Sequence, residues 1–110
     1  MPEPTEPLIF NKFSSCIIGP NEPILIPKIG CDVDLEVELA VIIGKDGRHI
    51  PEQQAMDHVF GFTAANDVSG RDWQMQRNGG QWLLGKTFDT FLPLGPHIET
   101  ELNPNQLNVA

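Results

Sequence analysis

The sequence predicts a mainly β fold with short helices, of the α+β class, and three observations carry that expectation. Ten glycines and ten prolines among 110 residues punctuate the chain too often for long helices and favour short strands and turns. Residues 34–44, DLEVELAVIIG, are rich in aliphatic and β-branched side chains, and their first half alternates with period two. Helical signals are confined to two brief stretches, near residues 51–59 and 69–77. The length allows one domain, with about two-thirds of the unfolded surface buried at most.

The elements follow in order. Met1 to Pro7 holds two glutamates and three prolines, so residues 1–6 are expected to be flexible. Leu8 to Phe10 is a short apolar strand candidate. Residues 23–27, PILIP, are another, with prolines at both ends that suit a sheet edge or a strand terminus. In residues 34–44, Leu35, Val37, Leu39, Val41 and Ile43 share one face, and Glu36, Glu38, Ala40 and Ile42 share the other. Gly44 to Gly47 reads as a turn. Pro51 to Val59 predicts a helix with Pro51 at its first position, Glu52 complementing the dipole, and Ala55, Met56 and Val59 as an apolar stripe. Phe60 to Ala65 predicts a strand that ends at Asn66 and Asp67. Ser69 is placed to cap a short helix through Arg71, Trp73, Gln74 and Arg77, stopped by Asn78-Gly79-Gly80. Trp82 to Pro96 reads as a loop with short extended pieces. Beyond Pro96 the chain grows polar, and its end at Ala110 reads as cut rather than finished.

Composition narrows the function classes. Seven basic against fifteen acidic residues give a net charge of −8, which argues against nucleic acid or an anionic membrane as the main partner. No apolar run approaches the roughly 18 residues of a membrane span. The first residues resemble neither a secretory signal nor an arginine-rich transit peptide. Two cysteines, Cys16 and Cys31, suit a reducing, intracellular compartment, with a lone disulfide left open. There is no internal repeat, and no His-x-x-His or Cys-x-x-Cys spacing points to zinc.

Glu36 and Glu38 stand two residues apart on one strand face, with Cα atoms roughly 6.6 Å apart. Two like charges on a half-buried face are costly unless neutralised. The options are a solvated face, an Arg or Lys partner, or a hard divalent cation with oxygen ligands. Asp67, after an apolar strand and before a turn, is either presented from a rigid edge as a third carboxylate or serves as a cap or turn residue. Three carboxylates on rigid strands suit Mg²⁺ or Mn²⁺.

Three ordered motifs, Glu-x-Glu at 36–38, Asn-Asp-x-Ser-x-Arg-Asp at 66–72 and Gly-Lys-x-Phe-Asp-Thr at 85–90, resemble the fumarylacetoacetate hydrolase family. The resemblance runs from about Pro7 to Pro96. It implies part of the mixed β-sandwich roll of that family's C-terminal catalytic domain, occupying residues 7–110, in a protein that forms homodimers. It further implies that Glu36, Glu38 and Asp67 ligate Mg²⁺, Mn²⁺ or Ca²⁺, and that Lys86 is a catalytic lysine that also holds substrate. By the same matching Arg71, Gln74 and Thr90 line the substrate side, and Lys12 stands near its entrance.

The activity so implied is metal-dependent cleavage of C–C bonds in small diketo acids such as acylpyruvates, or decarboxylation of oxaloacetate, in the cytosol or mitochondrial matrix. The substrate is a small anionic oxo acid; nucleic acid and membrane are excluded as partners. In the family, a His and Glu pair upstream of this region activates water for hydrolysis, and a Thr-Gly-Thr-Pro segment follows further on. Without that pair, the alternative is a non-catalytic metal-binding scaffold. Gly70 stands where the family usually has Ala. His49, His58 and His97 are not at catalytic positions, and Trp73 and Trp82 read as core or interface aromatics.

Overall fold

The computed structural model describes residues 3–108; the expectations for Met1, Pro2 and the last two residues lie outside that range. The fold is α+β: six strands in three two-stranded ladders, with short helices between them. Strand β1 (Ile17–Ile18) pairs in parallel with β6 (Leu92–Pro93). Strand β2 (Val33–Asp34) pairs antiparallel with β5 (Ser69–Gly70). The long pair is β3 (Val37–Ile43) against β4 (Val59–Asn66), also antiparallel.

The expected strand over 34–44 and that over 60–65 are therefore the central hairpin, in a register that sets Val37 against Asn66 and Val41 against Phe62, with a bulge at Ile42/Ile43. Their connection is not a tight turn. It runs through a 3₁₀ segment, Glu52–His58, that begins after Pro51. Pro51 lies just outside that segment with φ −62° and ψ 146°, so it precedes the helix rather than opening it. The stripe expected to be buried there is not: Met56 is 59% exposed. A 3₁₀ turn repeats every three residues, so side chains spaced for 3.6 no longer share a face.

Other expectations shift as well. Leu8–Phe10 and PILIP form no ladder; the N–H of Leu25 donates instead to Thr90 Oγ1 at 2.8 Å. Helix α1 (Arg71–Met75) starts after Gly70 with no side-chain cap, because Ser69 is already in β5 and donates its hydroxyl to the carbonyl of Asp67 at 2.9 Å. Helix α1 ends at Met75 with Gln76 as its C-cap, short of Arg77, and Asn78, Gly79 and Gly80, all with positive φ, form a separate 3₁₀ turn beyond it. Helix α2 (Leu83–Lys86) was expected to be loop; its Gly85 hides the signal. Both cysteines are free thiols, Cys16 buried and Cys31 half-buried.

The core is small: Cys16, Phe62, Ala65, Val68 and Phe91 are its buried apolar members. The radius of gyration, 15.6 Å, exceeds the roughly 13 Å of a compact domain of this length. Much apolar surface is left uncovered along β3 and the residue before it. Leu35, Val37, Leu39, Val41 and Ile43 are 40–65% exposed, while the face carrying Glu36, Ala40 and Ile42 is turned inward. The strand is thus amphipathic in the sense opposite to the ordinary one.

Candidate functional site

Strand pairing builds the acidic cluster. The N–H of Asp67 donates to the carbonyl of Glu36 at 2.9 Å, and the N–H of Glu36 donates to Asn66 Oδ1 at 3.1 Å. These two bonds carry the β3–β4 ladder one step past its last regular pair and set Glu36 opposite Asp67, where cross-strand side chains touch. Glu38 follows on the same face. One carboxylate oxygen from each of the three lies within 4.8 Å of the others. Asp67 is buried, Glu36 half-buried and Glu38 exposed.

Three cations surround the three acids. Lys86, 1% exposed, donates to Glu36 Oε2 at 2.8 Å and to Asp67 Oδ2 at 2.7 Å. The Arg71 guanidinium lies 2.5 Å from Glu36 Oε1 and 3.0 Å from Asp34 Oδ2, and donates to Gln74 Oε1 at 2.8 Å. Lys12 Nζ sits 2.7 Å from Asp67 Oδ1. With Asp34, four carboxylates against three cations leave the cluster at a formal −1, where Glu36, Glu38 and Asp67 alone would carry −3. Only Glu38 among the three acids has no cation in direct contact. Its carboxyl end lies against the cluster, and that partial desolvation, reinforced by the charges of Asp67 and Glu36, pushes it above the ordinary glutamate value.

The residues singled out in the sequence fall into two sets. Lys86, Arg71 and Gln74 lie in one connected network with Glu36 and Asp67; Gln74 is 2% exposed and stands behind Arg71 rather than open to solvent. Lys12 is also in the network, but inward: its ammonium donates to the carbonyls of Val68, Lys86 and Phe91 at 2.9, 2.6 and 2.8 Å. Burial lowers its pKa from the ordinary lysine value despite the neighbouring Asp67. Thr90 makes no hydrogen bond to the cluster. Its hydroxyl holds Leu25, and its backbone has φ 70°, a costly conformation for a β-branched residue.

Three residues of the site were not singled out. Phe10 lies with its ring centroid 4.9 Å from Lys86 Nζ and 5.7 Å from the Trp82 ring. Asp34 accepts from Arg71 Nε, and Asn66 secures Glu36. Asn66 opens the motif at 66–72 and Asp34 stands two residues before Glu36, which was the available signal; Phe10 gave none. Among the described residues, no histidine joins the cluster.

A resident divalent ion fits this donor set. Asp67 Oδ1 is buried and accepts no hydrogen bond, because the three protons of Lys12 point at three carbonyls and give the nearby oxygen charge only. An orphaned anionic oxygen beside two further carboxylates is what a hard cation takes up. A cavity adjoins the cluster at Glu38. It is a mostly apolar groove of about 440 Å³ bordered by Val37, Glu38, Leu39, Phe62, Leu102 and Leu107.

Over residues 1–110 the chain matches the family described as "Fumarylacetoacetate (FAA) hydrolase C-terminal". It is 62% identical over 101 residues to the mitochondrial oxaloacetate tautomerase fahd2 of Xenopus laevis, covering 92% of this chain and 32% of that protein. It is 57% identical over 113 aligned residues to the mitochondrial oxaloacetate tautomerase FAHD2A of Homo sapiens, covering all of this chain and 36% of that protein. The chain thus spans about a third of the length of these relatives. Among solved structures, the 5-carboxymethyl-2-hydroxymuconate delta-isomerase of Mycobacterium smegmatis superposes with a TM-score of 0.84 at 46% identity, over 93% of this chain and 40% of that one.

Proposed function

Because the chain belongs to the fumarylacetoacetate hydrolase family, we propose that it carries the acidic half of a site that enolises small anionic oxo acids of the oxaloacetate kind, in the mitochondrion named for its relatives. The observation that carries this reading is the cluster itself: three carboxylates with one oxygen of each within 4.8 Å of the others, the buried Asp67 among them, beside the ammonium of Lys86. Glu36, Glu38 and Asp67 would hold a divalent ion, most suitably Mg²⁺ or Mn²⁺. When bound, such an ion acts as a Lewis acid that draws electron density from a keto oxygen and stabilises an enolate.

The chain's own groups do the rest. Arg71, with 37% of its side chain exposed, is the accessible cation and suits a substrate carboxylate. Lys86 supplies fixed positive charge behind the carboxylates, and Phe10 shields it from water. Tautomerisation, decarboxylation and C–C hydrolysis of such acids share an enol or enolate. Hydrolysis also needs an activated water, and tautomerisation a base that takes the α-proton. Tautomerisation is the reaction named for the mitochondrial relatives and the one we assign, with hydrolysis and decarboxylation as the wider class.

Calorimetric titration of Mn²⁺ tests the reading. The near-neutral charge of the cluster implies modest binding, with a dissociation constant on the order of 10⁻⁴–10⁻³ M. Glu38→Ala is expected to weaken it at least about tenfold and to slow oxaloacetate keto–enol exchange in parallel, while acetylpyruvate hydrolysis stays near background in both proteins. The fold should not suffer. A carboxyl raised above its ordinary value lowers stability once ionised, so removing it near pH 7 relieves a penalty. Equal heats in both proteins would exclude the shared metal site, and robust hydrolysis would overturn the assignment of the reaction.

The outward row of β3 also supports a homodimer. Four exposed apolar residues, with Leu35 just before them, line a strand whose outer edge has no partner among the described residues, which is a surface that seeks cover. Sedimentation velocity should give a concentration-dependent dimer that Val41→Lys shifts to monomer; a wild-type monomer at every concentration would reject it.

A further inference from the structure

We propose that Lys12 is a positioning residue, whose buried ammonium fixes the main chain beside both Asp67 and Lys86 and thereby sets the contact between them. The consequence for ion binding rests on the reading of the triad as a metal site; the consequence for Lys86 does not.

The geometry is that of a saturated ammonium. Nζ has three protons, and three carbonyls take them: Val68, next to Asp67; Lys86 itself; and Phe91, at the entry to β6. Each comes from a different segment, so a single nitrogen ties the end of β4, the end of α2 and the start of β6 to one point. No proton remains for a substrate, and 7% exposure of the side chain leaves no room for one. Asp67 Oδ1, 2.7 Å away, therefore receives positive charge without a hydrogen bond. The carboxylate is held in place while that oxygen stays an open acceptor. The Phe91 ring, with its centroid 5.9 Å from the same nitrogen, closes the remaining side.

The alternative role is simple stabilisation, in which Lys12 strengthens the fold but leaves the Asp67–Lys86 contact as it is. The two separate in protein labelled with ¹⁵N-lysine, where the Nζ–H protons of Lys86 exchange slowly only while they are held by Glu36 and Asp67. Lys12→Ala removes three methylenes and the ammonium, the atoms of n-propylammonium. In the folded variant, well below its melting temperature, Lys86 Nζ–H exchange is expected to accelerate at least about tenfold, the effect of losing a charged hydrogen bond. Adding n-propylammonium should restore slow exchange, and 1-propanol should not.

Unchanged Lys86 exchange in folded Lys12→Ala overturns the inference, and so does equal rescue by 1-propanol. Should Lys12→Ala fail to fold, Lys12→Met keeps the stem and removes only the charge. The wild type offers a direct check too: the Lys12 Nζ–H protons must themselves be slowly exchanging, and rapid exchange there rejects the three-carbonyl clamp. Absence of Mn²⁺ binding to the wild type would count against the metal reading alone, since the Lys86 measurement needs no metal.

Discussion

Lys86→Met is expected to lower the free energy of unfolding by about 3–5 kcal/mol, the range for removing one partner of a buried ion pair. The reason is local. Asp67 is 4% exposed at its side chain and Glu36 22%, and both lose their shared donor at once. Methionine fills the stem's volume but offers no proton, so two carboxylates face each other with only Lys12 and Arg71 for compensation. Against a total of about 5–15 kcal/mol for a typical domain, that loss is a large fraction. Urea unfolding followed by circular dichroism should show the midpoint falling steeply or the transition vanishing. A double mutant gives the control: Lys86→Met combined with Asp67→Asn should cost less than the two single changes added together, because each single change strands a charge that the other relieves. Strict additivity would mean that the pair is not a coupled unit.

Gly85→Ala should destabilise by about 1–3 kcal/mol, the cost of overpacking, although alanine is the better helix former by about 1 kcal/mol. Gly85 lies inside α2, so propensity alone predicts a gain. Packing opposes it: a Cβ there would lie 2.7 Å from the backbone N of Gln74, 2.8 Å from the carbonyl oxygen of Gly70 and 3.0 Å from Gln74 Cα. All three are main-chain atoms of β5 and α1, which cannot rotate away. Either α2 or α1 must move, and Lys86 is the next residue along. Thermal denaturation decides the sign, and a rise in melting temperature would show that the two helices are not held together as described.

The hairpin was legible because its evidence is local. Alternation over residues 34–44 and an apolar run ending at Asn66 need no knowledge of the rest of the chain. Which face of β3 turns inward was not legible, and the reason is physical. Burial of Glu36 depends on Arg71 and Lys86, which are 35 and 50 positions away, and no periodicity reports a distant cation. The same limit applies to Lys12. Its role follows from three carbonyls, and carbonyls carry no sequence identity. The 3₁₀ segment at 52–58 and the short α2 were misjudged for a different cause: Pro51 and Gly85 signal boundaries well but do not say which kind of turn lies between them. The carboxylate spacing alone left a solvated face open. The ordered motifs narrowed that choice, and the strand register then brought Glu36, Glu38 and Asp67 into one cluster.

The clamp at Lys12 also bears on how freely the intervening chain can change in length. Its bonds to Val68, Lys86 and Phe91 close loops of 56, 74 and 79 residues. Closure entropy rises only with the logarithm of loop length, so even doubling such a loop costs about 0.6 kcal/mol. Insertions in the exposed connection between Gly44 and Pro51 are therefore nearly free of penalty to the clamp, whereas shifting Asp67 or Lys86 by one position along its own element breaks it. Evolution can lengthen the periphery of this fold while the four residues that meet at one nitrogen stay fixed.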